Sequence, residues 1–227
     1  ARVEFRHAAL LEAVAAEAVA KVDGFAPQGL ANIAWAYASL QASDERLQQA
    51  VAKEAMAKLN AFTPRETSAL LWAYARVEAA GRDLFQVVGG SALASLKDAK
   101  AQELSNLAWA FARSAVDEPG VFRAVASEAV TKLHGFAPQG LSNLAWAFAT
   151  AGMDDEELFH AIAQQAIPEL PACSAQQLAN LAWAFASAAL RDPELLAALG
   201  SEAEGRLGEF TPHGLANLAW AAATLGG

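Results

Sequence analysis

Six tryptophans, Trp35, Trp72, Trp109, Trp146, Trp183 and Trp220, each lie 37 residues from the next with no insertion. A fixed period of this length signifies a repeat array, in which one supersecondary unit stacks on copies of itself. The same string returns around the tryptophan: "LANIAWAYAS", "LSNLAWAFAR", "LSNLAWAFAT", "LANLAWAFAS". Six units fit at about 5–41, 42–78, 79–115, 116–152, 153–189 and 190–226, so a single helical-repeat array fills residues 1–227. The chain starts with Ala1 and ends at "LGG", where another helix would begin; it is expected to be a piece of a longer protein.

Each unit holds two helices. The first, A, is carried by stretches such as "RLQQAVAKEAMAKLN", where Leu47, Val51, Ala55 and Leu59 step by four and share one helix face. The second, B, starts within "FTPRE", "FAPQG" or "FTPHG". Thr63, Ser174 and Thr211 stand where an N-cap hydroxyl belongs. Pro64 and Pro212 follow at the first helical position, which needs no backbone donor. Alanine dominates and β-branched residues are few, which favours helix throughout. A helix pair this short cannot bury its own apolar surface, but stacked pairs can. The expected fold is all-α, an α-solenoid of about six 37-residue helical hairpins. Two A helices carry breakers: Gly89-Gly90 is expected to interrupt the third, and Pro168 to end the fifth early.

On a wheel of ~100° per residue, Leu141, Leu144 and Phe148 of the fourth unit share the side that packs on the A helices, as does Leu30 of the first. Trp146 points roughly the opposite way. Gln139, Asn143 and Thr150 lie beside it, within about 60°. Ala145, Ala147 and Ala149 fill the flanks, so neighbouring B helices can approach closely. A polar stripe therefore crosses the units: Gln28, Asn32, Ser39; Arg65, Ala69, Arg76; Gln102, Asn106, Arg113; Gln139, Asn143, Thr150; Gln176, Asn180, Ser187; His213, Asn217, Thr224. None of these positions is acidic, although the chain carries 25 Asp and Glu against 16 Lys and Arg, a net charge of −9. That total argues against nucleic acid and against an anionic membrane surface. Its distribution tempers the argument. Residues 1–132 hold 14 basic against 15 acidic side chains, and residues 133–227 hold 2 against 10.

Other chemistry finds little support. No apolar run reaches the ~20 residues of a membrane span. One cysteine, Cys173, excludes an internal disulfide and stands where other units place phenylalanine, as a small buried hydrophobe would. His7, His134, His160 and His213 occupy unrelated repeat positions without metal-ligand spacing. The acids at 154–157 suit the first turn of a helix, where the macrodipole favours negative charge. No catalytic residue, cofactor site or metal site is expected.

The strings "FAPQGLANIAWAYASL" and "FAPQGLSNLAWAFATA" resemble octotricopeptide repeats of algal organelles. They are still more similar to the 37-residue heptatricopeptide repeats of apicomplexans and their relatives, found in proteins that carry RAP domains. The resemblance covers all six units. Departures are Thr67 and Ala69 in the second unit, Ala99 and Cys173 in place of phenylalanine, and Ala222 in place of the last aromatic. No RAP domain is present. The resemblance implies an organellar protein (mitochondrion or chloroplast) that binds single-stranded or ribosomal RNA. Its roles would be transcript stability, processing, translation or ribonucleoprotein assembly.

Candidate RNA contacts are the variable stripe positions Gln28, Arg65, Arg76, Gln102, Arg113, Gln139, Gln176 and His213. Arginines would meet phosphates or guanine edges, and glutamines could read base edges. Arg65, Arg76 and Arg113 are expected to form one cationic patch. The invariant residues are expected to be structural. Trp35, Trp72, Trp109, Trp146, Trp183 and Trp220 would pack between B helices, and Asn32, Asn106, Asn143, Asn180 and Asn217 would form a hydrogen-bonded ladder. Base stacking by the tryptophans and ligand contact by the asparagines are the alternatives. A protein-binding scaffold in a large organellar complex, without RNA contact, stands beside the RNA reading.

Overall fold

The computed structural model describes residues 8–78 and 81–225. The unit starts expected at 5 and 79, the end expected at 226, and His7 lie outside the described residues. Six A helices, α1 (Ala8–Ala20), α3 (Glu45–Ala57), α5 (Arg82–Ala92), α7 (Pro119–Lys132), α9 (Glu156–Ala166) and α11 (Pro193–Glu204), alternate with six B helices. These are α2 (Pro27–Ser39), α4 (Pro64–Arg76), α6 (Ala101–Ser114), α8 (Pro138–Thr150), α10 (Ala175–Ser187) and α12 (Pro212–Leu225). Among the described residues there is no strand, and the fold is an all-α solenoid. Each B helix packs extensively on the next, with alanines such as Ala145, Ala149, Ala182 and Ala186 buried, whereas successive A helices meet over fewer residues.

In the first five units the two layers meet through one aromatic position of the B helix. Phe111, Phe148 and Phe185 set their rings edge-on against Phe85, Phe122 and Phe159 of the A helices, with centroids 5.3, 5.2 and 5.0 Å apart. Such T-shaped pairs add about 0.5–1.5 kcal/mol each beyond area burial. In the first two units the A-helix partner is Leu11 or Gln48, and the B residue is tyrosine. Tyr37 donates its hydroxyl to the carbonyl of Leu11 at 2.6 Å, and Tyr74 donates to that of Gln48. Burial drives the Tyr74 phenol well above its usual range. Leu30, Leu141, Leu144 and Phe148 are buried, as the wheel requires.

Helix ends follow local chemistry. Thr63 and Ser174 each accept from a backbone N–H three residues on, and their own backbone N–H donates to the side chain of Glu66 or Gln177, forming capping boxes. Thr211 accepts from Gly214 N–H at 3.1 Å. Asp44, Asp155 and Asp192 cap α3, α9 and α11, so the acids at 154–157 do serve a helix start. Each of the first five B helices closes on a left-handed residue at one repeat position: Gln41, Glu78, Ala115, Gly152 and Ala189. In the first, fourth and fifth units the next N–H reaches back to the aromatic carbonyl, as in a Schellman motif.

The two breakers behave differently. α9 does end at Ala166, and Pro168 lies in a tighter 3₁₀ segment, Ile167–Ala172. Gly89-Gly90, however, does not interrupt α5, which runs through both to Ala92. Gly89 is there because a Cβ would land on the ring of Phe111, and Gly90 faces open space.

Neighbouring units are also stapled. Lys58 donates to the carbonyls of Asp23 (2.6 Å) and Phe25 (2.9 Å) in the preceding unit while pairing with Glu54 at 2.8 Å. Lys132 repeats this on Lys97 and Ala99 with Glu128, and Arg206 on Cys173 with Glu202.

Candidate nucleic-acid interface

The stripe lies on the solvent side of the B layer. Gln28, Arg65, Gln102, Gln139, Gln176 and His213 are exposed near the N-terminal ends of their helices. Asn106, Asn143, Asn180 and Asn217 are half-buried beneath them, and Asn32 is exposed. These amides make no hydrogen bond to the chain among the described residues, so no amide ladder links the units. Each keeps enough contact with solvent to be satisfied by water, which removes the need for an internal partner.

The tryptophans pack instead. Trp72, Trp109, Trp146 and Trp183 follow one another at centroid distances of 6.1, 6.5 and 6.5 Å, tilted by 34–35°. Each of the four is half-buried. Trp35 and Trp220, at the two ends, are 50% and 45% exposed.

A groove of about 640 Å³ runs over the N-terminal and central turns of the B helices. It is lined by Asn32, Trp35, Arg65, Ser68, Ala69, Trp72, Lys100, Gln102, Glu103, Asn106, Gln139 and Asn143. Arg65, Gln102 and Gln139 thus come together as candidate contacts, while Gln28, Gln176 and His213 lie on the same face outside it. Arg65 and Lys100 have no side-chain ion pair or hydrogen bond among the described residues. The acid beside them, Glu103, is engaged by the Lys100 backbone N–H at 2.7 Å.

The three arginines do not form one patch. Arg76 lies eleven residues beyond Arg65, about 16 Å along α4 at 1.5 Å per residue. Its guanidinium carbon lies 5.2 Å from the Trp72 ring centroid, and its Nε donates to Ala38 O at 3.3 Å, at the end of α2. Arg113 pairs with Glu78 at 2.5 Å and lines a separate depression beside Arg82. Each is drawn to the C-terminal end of the neighbouring B helix, where carbonyls and an acid compete for it. Lys100 takes their place in the groove. It precedes α6 by one residue and so falls off the helical wheel; its match to the N-cap position of Thr63 is the one signal in the sequence.

The remaining reactive groups are scattered. Cys173 is buried, and burial raises its thiol pKa, partly offset by Arg206 and reinforced by Glu169 and Glu202. His160 Nδ1 lies 3.6 Å from Asp192, and His134 is exposed on another turn. Among the described residues no group of three or more His, Cys, Asp or Glu is placed to hold a metal. No helix among them is long and apolar enough to cross a membrane.

A solenoid with an extended polar groove along its tighter layer is a helical-repeat binding scaffold. The model of the family described as RNA-editing substrate-binding complex 6 protein matches residues 1–225, and the chain belongs to that family. No curated protein matches it. The family match supports a helical, RNA-associated protein, a broader class than the octotricopeptide or heptatricopeptide type suggested by the repeat strings.

Proposed function

We propose that the protein is a non-enzymatic subunit of an RNA-editing substrate-binding complex and holds single-stranded RNA in the groove over α2, α4, α6 and α8. One observation carries the reading: Arg65 and Lys100, both without ion-pair partners, converge with the amides of Gln102, Asn106, Gln139 and Asn143 in one groove. The cations would position phosphates, and the amides would meet base edges, which present both donors and acceptors. The acids of the last two A helices and their turns, including Asp154 to Glu157, Glu194, Glu202 and Glu204, are carried on the other layer, away from this groove. The repeat strings support an organellar setting, mitochondrion or chloroplast, and the heptatricopeptide type of unit.

A second reading, a protein scaffold without RNA contact, rests on the net charge of −9 and the 2-against-10 imbalance of residues 133–227. Fluorescence anisotropy with single-stranded RNA across a salt series separates the two. Two phosphate contacts at ~0.7 each predict a slope of log Kobs on log salt of about −1.4. The double variant Arg65→Gln, Lys100→Gln flattens that slope and weakens binding across sequences. A wild-type protein that binds no RNA at low salt favours the scaffold.

A further inference from the structure

The tryptophan ladder stops before it reaches Trp35. No ring contact joins Trp35 to Trp72 or Trp183 to Trp220 among the described residues, although every step between Trp72 and Trp183 has one. At the first of these open steps Arg76 reaches back toward α2 across the Trp72 ring and binds Ala38 O, so the side of Trp72 facing the first unit is taken by a guanidinium. Here too Ala69, which lines the groove between Trp35 and Trp72, stands where the other five units carry asparagine. Open volume lies beside a half-exposed indole. Trp35, Ala69, Trp72 and Arg65 all line the groove that also holds Lys100.

We infer that Trp35 is the stacking platform for one nucleobase, seated in the space that Ala69 leaves, with the adjoining phosphates on Arg65 and Lys100. This rests on the RNA reading of the groove and says where on the array a base is held. The interior tryptophans are half-buried against one another and so offer a ligand less of their rings than Trp35 does. Trp220, the other exposed indole, lies on α12, in the half of the chain with 2 basic against 10 acidic residues, and does not line the groove. Every base has a π-face, so the platform tolerates sequence, and specificity falls to the neighbouring amides.

The test is anisotropy with a labelled single-stranded RNA of about ten nucleotides, run on wild type, Trp35→Ala, Trp35→Phe, Ala69→Asn and Trp220→Ala. Loss of one stacked base weakens Trp35→Ala about tenfold. Its salt slope stays that of the wild type, since no phosphate contact is removed. Trp35→Phe keeps most of the affinity. Ala69→Asn, a residue five other units accommodate, fills the slot and weakens binding without unfolding the array. Trp220→Ala binds as wild type. If wild type binds RNA while Trp35→Ala and Ala69→Asn bind equally well, the platform is wrong and the groove stands. Should Trp35→Ala fail to fold, Ala69→Asn and Trp35→Phe decide. A wild type that binds no RNA overturns both the groove and the platform.

Discussion

Gly89 and Gly90 are neighbours in α5, and alanine at either gains the same helix propensity, about 0.8–1 kcal/mol. Their surroundings differ. A Cβ on Gly90 meets nothing within 4 Å. On Gly89 it would fall on the Cζ edge of Phe111, with Cε1 and Cε2 at 3.2 Å. Phe111 is fully buried and held edge-on by Phe85, so it cannot swing away without breaking that pair. Overpacking of this kind costs roughly 1–3 kcal/mol. Gly90→Ala should therefore stabilise the protein by nearly 1 kcal/mol. Gly89→Ala should destabilise it by about 0–2 kcal/mol, the strain less the gained propensity. Because the propensity gain cancels, the gap between the two variants measures the strain alone, about 1–3 kcal/mol. Urea unfolding followed by far-UV circular dichroism measures it. Hydrogen exchange across α5 and α6 localises it, since repeat arrays unfold in parts. Phe111→Leu in the Gly89→Ala background should recover part of the loss, a coupling that a double-mutant cycle detects. Equal stabilisation by both alanines would refute the reasoning.

Ala115 closes α6 with φ of 51°, so Ala115→Gly should stabilise by about 0.5–1 kcal/mol and Gly152→Ala should do the reverse, both seen as shifts in urea midpoint. Asp44 is held below its usual pKa of 3.8, chiefly by the Leu47 N–H and also by Arg46, so its stabilisation is full above that value and lost as pH falls through the lowered one. Asp44→Ala should therefore cost about 1 kcal/mol at pH 7, and the gap to wild type should close in melts at increasingly acid pH. Cys173, buried with a raised thiol pKa, should resist iodoacetamide at pH 8 while the array is folded and react at the rate of a free thiol in urea, as read by mass spectrometry.

The architecture was legible because it repeats. The 37-residue spacing of tryptophan, the four-residue steps of Leu47, Val51 and Ala55, and the capping hydroxyls of Thr63 and Ser174 are local signals that agree with the tertiary result. The details that escaped depend on contacts between units. Nothing local says that Lys58, Lys132 and Arg206 reach carbonyls some 33–36 residues back. Gly89 reads as a breaker until Phe111 is seen above it. Only Gly152 advertises the left-handed closure that Gln41, Glu78, Ala115 and Ala189 also adopt. For the groove, the wheel placed Arg65, Gln102 and Gln139 on the right face but ignored distance along the axis. That distance separates Arg76 and Arg113 from the rest and admits Lys100.

Ultraviolet crosslinking of uridine-rich single-stranded RNA to the intact protein, with peptides identified by mass spectrometry, tests the central claim most directly. The account predicts crosslinks on α2, α4 and α6 and at Lys100, foremost at Trp35, and none on α9 or α11. Crosslinks concentrated on the A helices, or none above those of an unrelated acidic protein, would contradict it.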